Sequence, residues 1–377
     1  MARRLRLFAA AALLPVIAGC SRETNTIKIG EYACLTGKEA GLGQPSHEGT
    51  LLAVEAINAS GGLLGRKLEL ITEDTQSKPG EAGTAVRKLI ARDKVVAVLG
   101  ETASSRSLEG AAICQAAKIP MITPSSTNPS VTATGDYIFR VCFIDPFQGS
   151  VMAKFARETL HARRFGLISS SSSAYSAGLA KFFREAVLAH GGVIAAEQKY
   201  QEGDKDFKAQ LTAIRTARVD AIFNPGYYAE GALIVKPARD LGIAAPIFGG
   251  DAWEAEELIQ LGGAAVEGAY LCSHYSFEDP SPRVQQFVAA FHRRWGPDAA
   301  PDSNTSLGYD SVLVLADAIK RAGSVEPARI RDALAATKNF PGVTGNITID
   351  EHRNASKDAV IVTVKNGKFH YVQSIAP

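Results

Sequence analysis

The chain has 377 residues, 46% of them apolar and 21% charged, with a formal net charge of +2. Such a length suits two domains better than one, and such a composition suits a globular body with a sizeable core. Arg3, Arg4 and Arg6 contribute to the positive balance from a segment expected to be removed, so the remainder is near neutral and lacks the basic footprint of a nucleic-acid binder.

Those arginines precede an apolar run from Leu7 to Ala18, long enough for a signal-peptide core and too short to span a bilayer. It ends in Ile17-Ala18-Gly19-Cys20. This resembles the bacterial lipobox, in which the cysteine is acylated and the chain is cleaved ahead of it. Residues 1–19 are therefore expected to be a lipoprotein signal peptide and 20–26 a linker. Cys20 is then the lipidation site, tethering a soluble body to a bacterial membrane on the periplasmic side. An ordinary signal peptide with a chance cysteine is the alternative. Cys34, Cys114, Cys142 and Cys272 show no CxxC spacing, which leaves small buried residues or disulfides open.

Strand and helix patterns then alternate. Strands are predicted at 27–33, 68–71, 95–99, 121–123 and 137–144, with helices at 48–59, 81–92 and 108–117 between them. The rhythm restarts with a helix at 148–160. Strands follow at 165–169, 193–197, 221–224, 246–248 and 268–274, and helices at 177–190, 207–215, 230–241 and 255–260. Two successive arrays of this kind predict an α/β fold of two doubly wound, Rossmann-like lobes. After Ser281 come three helices, at 284–295, 307–321 and 327–337. A final strand pair, 359–364 and 368–372, is joined by Asn366-Gly367, a hairpin signal. The expected division is 27–144 with 276–356 for the first lobe and 145–275 with 357–377 for the second. The chain would cross between them near 144–147, near 275–279 and before the last strand pair, making a hinge.

Ligands of open α/β sheets bind at the carboxyl ends of the strands. Two such ends are rich in hydroxyls. One is Gly100-Glu101-Thr102-Ala103-Ser104-Ser105-Arg106-Ser107 and the other is Pro124-Ser125-Ser126-Thr127-Asn128-Pro129. Together they suit a carboxylate, with Ser104 and Thr127 as donors, although from the first segment alone Ser104 or Ser105 reads better as a helix cap.

The segment Lys118-Ile119-Pro120, Pro124 to Pro129, Gly135-Asp136-Tyr137-Ile138-Phe139-Arg140, Asp145 and Gln148-Gly149 resembles the leucine/isoleucine/valine-binding family. These are type I periplasmic solute-binding proteins of branched-chain amino-acid ABC transporters. Ile27-Lys28-Ile29-Gly30, Gly41-Leu42-Gly43, Ala56-Ile57-Asn58 with Gly61-Gly62, and Asp204-Lys205-Asp206-Phe207 extend the likeness over nearly the whole mature chain in order. The resemblance implies a two-lobed receptor that captures an amino acid or similar small polar solute and delivers it to a membrane permease. It implies no enzyme, cofactor or metal. Its site would comprise Ser104, Thr127 and the backbone of Ser125 and Ser126 for the carboxylate, and Asp251 for the ammonium. Tyr175 and Tyr227 would supply second-lobe aromatics, and Leu42 would stand where a larger aromatic is often found. Asp251 in place of a glutamate, and Leu42 in place of an aromatic, leave the side-chain preference open. Tyr227 is favoured over Tyr228 as the ligand-facing member of the pair. The serine-rich stretch before Tyr175 is read as a loop, and Trp253 and Trp295 as packing residues.

No nucleophile elbow, Walker loop or HExxH motif is present, and the seven scattered histidines are read as solvated surface positions. Two rival functions are weighed. One is a sensor of the same fold that binds an amide, urea or aromatic acid and regulates a partner. The other is a hydrolase or dehydrogenase on a doubly wound sheet.

Overall fold

The computed structural model describes residues 26–376, so the expected signal peptide and Cys20 lie outside the described residues. Two sheets organise the chain. The first has five parallel strands in the spatial order Lys67–Asp74, Thr26–Ala33, Val98–Leu99, Met121–Thr123, Ile138–Arg140. The second repeats that order with Val193–Tyr200, Arg164–Ser170, Ala221–Asn224, Ile247–Gly249 and Tyr270–Ser273. It is extended by the antiparallel strands Ala359–Lys365 and Lys368–Ile375. Both are doubly wound sheets whose order reverses beside their first strand, which opens a crevice at that point. The hairpin joining the last two strands turns on Asn366 and Gly367, with φ of 52° and 67°, as a two-residue turn with both residues left-handed requires.

The helices Pro282–Trp295, Ser303–Ala322 and Pro327–Ala335 return to the first sheet. Leu307, Val312, Leu315 and Ile319 share one apolar core with Ile27, Ile29, Ala53 and Leu99. The chain thus passes between the sheets three times: after Arg140, after Ser273 and before Ala359. The helix Asp145–Glu158 already belongs to the second core, through Val151, Met152 and Phe155.

Three departures from the sequence pattern have physical causes. The first helix runs Ala40–Ala59, well ahead of its apolar periodicity, because its opening turns carry small residues for close backbone contact. A Cβ on Gly43 would stand 2.2 Å from the Cys34 carbonyl oxygen, and one on Gly49 would stand 1.8 Å from that of Thr305. The run Val95–Leu99 is regular only at Val98–Leu99, although Val96 N–H still donates to Lys28 O at 2.9 Å. A small antiparallel unit of Phe340–Gly342, Gly345–Ile349 and Ala355–Ser356 was not anticipated, since its strands are too short to show alternation.

Cys34, Cys114, Cys142 and Cys272 are buried free thiols, which decides between the two readings of the cysteines. Burial pushes the Cys142 thiol up to about 12, so it stays protonated and inert. Among the described residues no helix is long and apolar enough to cross a membrane.

Candidate functional site

The carboxyl ends of the two sheets face one another across a cavity. The first lobe lines it with Leu42, Thr102, Ser125, Ser303 and Asn304, and the second with Tyr175, Tyr227, Asp251, Ala252 and His274.

On the first lobe the two hydroxyl-rich loops are knitted into one surface. The Glu101 carbonyl accepts from Thr123 Oγ1 at 2.6 Å, Ser107 Oγ at 2.9 Å and Ser126 Oγ at 3.0 Å. The Glu101 carboxyl accepts from Thr75 Oγ1 at 2.6 Å and from Ala103 N–H at 2.9 Å, and burial pushes its pKa up to about 7. These bonds commit Ser126, whose N–H also donates to Thr123 Oγ1 at 3.1 Å, so neither its hydroxyl nor its amide is left for a ligand. Ser125 remains on the cavity wall, its buried hydroxyl without a hydrogen-bond partner.

Thr127 is fully buried, its hydroxyl set against the Asp145 carboxyl of the second lobe. Ser104 opens the helix Ser104–Ala117 and accepts from Asn128 N–H at 3.4 Å. Neither Ser104 nor Thr127 is among the lining side chains. The reading of Ser104 or Ser105 as a helix cap does not hold: the cap position is Ala103, which offers no side-chain acceptor, so the positive end of the helix stays open. Ser105 Oγ instead accepts from Ala174 N–H of the second lobe at 3.0 Å.

On the second lobe Asp251 starts a short 3₁₀ turn at the end of the strand Ile247–Gly249. Its carboxylate accepts from Tyr175 Oη at 2.8 Å and from His274 Nε2 at 3.0 Å. A carboxylate can only accept, so Nε2 carries the imidazole proton. Burial drives the His274 pKa down to about 4, against the opposing pull of Asp251, so the ring is neutral at neutral pH. The ring stacks on Phe143, with centroids 3.7 Å apart. Asp251 is therefore a buried carboxylate oriented by two neutral donors, and among the described residues no cationic side chain touches it.

Tyr175 lies in the first turn of the helix Ala174–Ala189, capped by Ser173, and its preceding serines are mostly buried; the stretch ends in an ordered cap rather than a free loop. Tyr227 lines the cavity at 5.4 Å ring separation from Tyr175. Tyr228 turns to the other lobe, its hydroxyl donating to Lys38 O at 2.8 Å and accepting from Gly41 N–H at 3.1 Å. Trp253 is fully buried, donates to Asn224 Oδ1 at 3.2 Å and packs beneath Gly231 and Gly249.

The lobes are closed on each other. Asn128 Nδ2 donates to Ala174 O at 2.7 Å, Lys38 Nζ meets Glu202 at 2.8 Å, and Ser303 Oγ donates to Glu254 Oε2 at 2.7 Å.

This closed, two-lobed cleft agrees with the sequence relationships. A family model described as periplasmic binding protein matches residues 26–368. The chain belongs to the periplasmic binding protein family. A leucine-, isoleucine-, valine-, threonine- and alanine-binding protein of Pseudomonas aeruginosa is 31% identical over 351 residues, 93% of this chain and 92% of that protein. The leucine-binding protein LivK of Thermotoga maritima superposes with a TM-score of 0.90 at 40% identity, covering 93% of this chain and 99% of that one. The branched-chain substrate-binding protein LivJ of Streptococcus pneumoniae, solved with isoleucine, gives 0.88 at 36% identity, covering 93% and 100%.

Sequence reasoning missed five wall residues of the binding protein: Thr102, Ala252, His274, Ser303 and Asn304. His274 was read as solvated with the other histidines, but it is 2% exposed at the end of the strand Tyr270–Ser273. Thr102 sat in a segment already singled out. Ser303 and Asn304 had no signal beyond a chance Asn-Thr-Ser triplet, because they belong to a helix that returns to the first sheet from far along the chain.

Proposed function

We propose that this binding protein captures a zwitterionic α-amino acid, with its ammonium on Asp251 and its carboxylate on the hydroxyl-rich face of the first lobe. One observation carries the reading: a buried carboxylate held by two neutral donors faces, across one closed cavity, an unpartnered serine hydroxyl. Buried polar groups are normally hydrogen-bonded, and a buried charge left unpaired costs several kcal/mol, so each end calls for a complementary ligand group. Ser125 and Thr102 stand at the carboxylate end, beside the open N-terminus of Ser104–Ala117, whose dipole favours an anion. Ser104 and Thr127 support that surface from a buried position. Tyr175 and Tyr227 enclose the ligand, and Leu42 covers it from the first helix.

A ligand touching both walls stabilises the closed arrangement by differential contact, which is what shifting a domain equilibrium requires. Residues 27–144 with 276–356 would move against 145–275 with 357–377. The closed form would deliver its ligand to an ABC permease while Cys20 holds the protein at a membrane through its lipid. The named ligands of the relatives support an amino acid in this role.

Calorimetry with alanine, its α-hydroxy analogue lactate and alaninamide tests the reading. Alanine is expected to bind and the other two to be weaker by about a hundredfold, since each lacks one charged end. Equal binding of lactate would remove the ammonium contact from the argument.

A further inference from the structure

With the ammonium at Asp251 and the carboxylate at Thr102 and Ser125, the remaining wall meets the ligand's side chain. That wall is Leu42, Tyr175, Tyr227, Ala252, His274, Ser303 and Asn304; Tyr175 and His274 are engaged by Asp251, which leaves Ser303 and Asn304 as its polar groups on the first lobe. Asn304 is 4% exposed, and its amide makes a single long bond, Nδ2 to Glu254 O at 3.5 Å. The hydroxyl of Ser303 donates to Glu254 Oε2 and retains its acceptor lone pairs.

This wall cannot retreat to make room. Ser303 and Asn304 open the helix Ser303–Ala322, fixed by a capping box in which Thr305 N–H donates to Asp302 Oδ1 at 2.8 Å. The helix then runs against Ala40–Ala59 with no space for a methyl group between Gly49 and Thr305 O. Leu42 is held between two glycines, one against the Cys34 carbonyl and the other against the Glu257 carboxylate.

We propose that the ligand's side chain is short and carries a hydroxyl or carboxamide, as in serine, threonine or asparagine, and that Asn304 is the residue that selects it. The proposal rests on the amino-acid reading above. A branched aliphatic side chain placed against Asn304 would leave that amide with only its one long bond, and a site built to bond a polar group discriminates strongly against an isostere lacking it.

The near-isosteric pairs threonine/valine and asparagine/leucine, titrated calorimetrically into the unmodified protein, separate polarity from size. Threonine is expected to bind at least about tenfold more tightly than valine, and asparagine than leucine. Valine or leucine binding as tightly as its partner, or more tightly, overturns this inference and leaves the amino-acid reading standing. Failure of all four and of alanine overturns both. In Asn304→Leu the threonine-over-valine ratio is expected to collapse or invert; a ratio unchanged from that of the unmodified protein would remove Asn304 as the selector. The comparison on the unmodified protein does not depend on that variant folding.

Discussion

Asp251→Asn changes one atom of the side chain and removes the charge on which ligand recognition is argued to depend. In the protein the carboxylate accepts two hydrogen bonds, from Tyr175 Oη and His274 Nε2. An asparagine Oδ1 can keep one or both of these donors, while its NH₂ group presents hydrogens to whatever stood at the second oxygen. The free protein therefore loses about one hydrogen bond, worth about 1 kcal/mol, and gains by no longer burying an unpaired charge. Its Tm should stay level or rise. The ligand, in contrast, loses a buried opposite charge and meets donor against donor. Truncating one member of a buried ion pair costs about 3 kcal/mol or more, which is about a hundredfold or more in Kd. Calorimetry against a bound amino acid gives the second quantity, and scanning calorimetry without ligand gives the first. A Kd within about threefold of the unmodified protein, with unchanged Tm, would refute the assignment of the ammonium to this residue.

Tyr228→Phe deletes the hydroxyl that joins Lys38 O and Gly41 N–H across the lobes, so ligand should dissociate several-fold faster in stopped-flow fluorescence with little change in Tm. Gly49→Ala forces a methyl group onto the Thr305 carbonyl and should lower stability by about 2–3 kcal/mol in denaturant titrations, because both contact atoms belong to packed helices. Glu254 is pushed up from 4.5 to about 8, first by burial and then by the nearby charge of Asp302. A carboxyl whose folded pKa is raised contributes stability that is present below about pH 4.5 and is lost as pH rises through about 8. Glu254→Gln, permanently neutral, should flatten the fall in Tm between pH 5 and 8.5. Parallel Tm–pH profiles for variant and parent would count against that source of the pH dependence.

The sequence was most informative where burial imposes a simple period. Met121–Thr123 and Ala221–Asn224 are buried throughout and were legible to the residue as short apolar runs. The last hairpin was equally legible, because Asn-Gly admits few other conformations. Helix starts were less so. Ala40–Ala59, Ser104–Ala117 and Ser303–Ala322 all begin several residues before their apolar stripe, with glycine, serine, asparagine and threonine chosen for close packing or for the cavity rather than for periodicity. The same cause hid part of the site. Asp251, Tyr175 and Tyr227 follow strands in an obvious rhythm, whereas Asn304 reaches the cleft only because two helices distant in sequence pack against each other. His274 was hidden by its chemistry, since an imidazole carries no mark of burial until Phe143 and Asp251 are placed around it.

Arg140 bears on how the cleft meets its guest. Its guanidinium is wholly enclosed, and its two terminal nitrogens donate to the Ser126 carbonyl, to the Asn128 carbonyl at 2.8 Å and to Thr132 Oγ1 at 3.2 Å. The segment carrying Ser125 and Thr127 is thereby pinned from beneath by groups that belong to the first lobe alone. Bonds made within one lobe order this segment during folding, so less ordering entropy is charged against each capture. The first lobe thus offers a face set in advance, and Asp251 stands on the opposite wall.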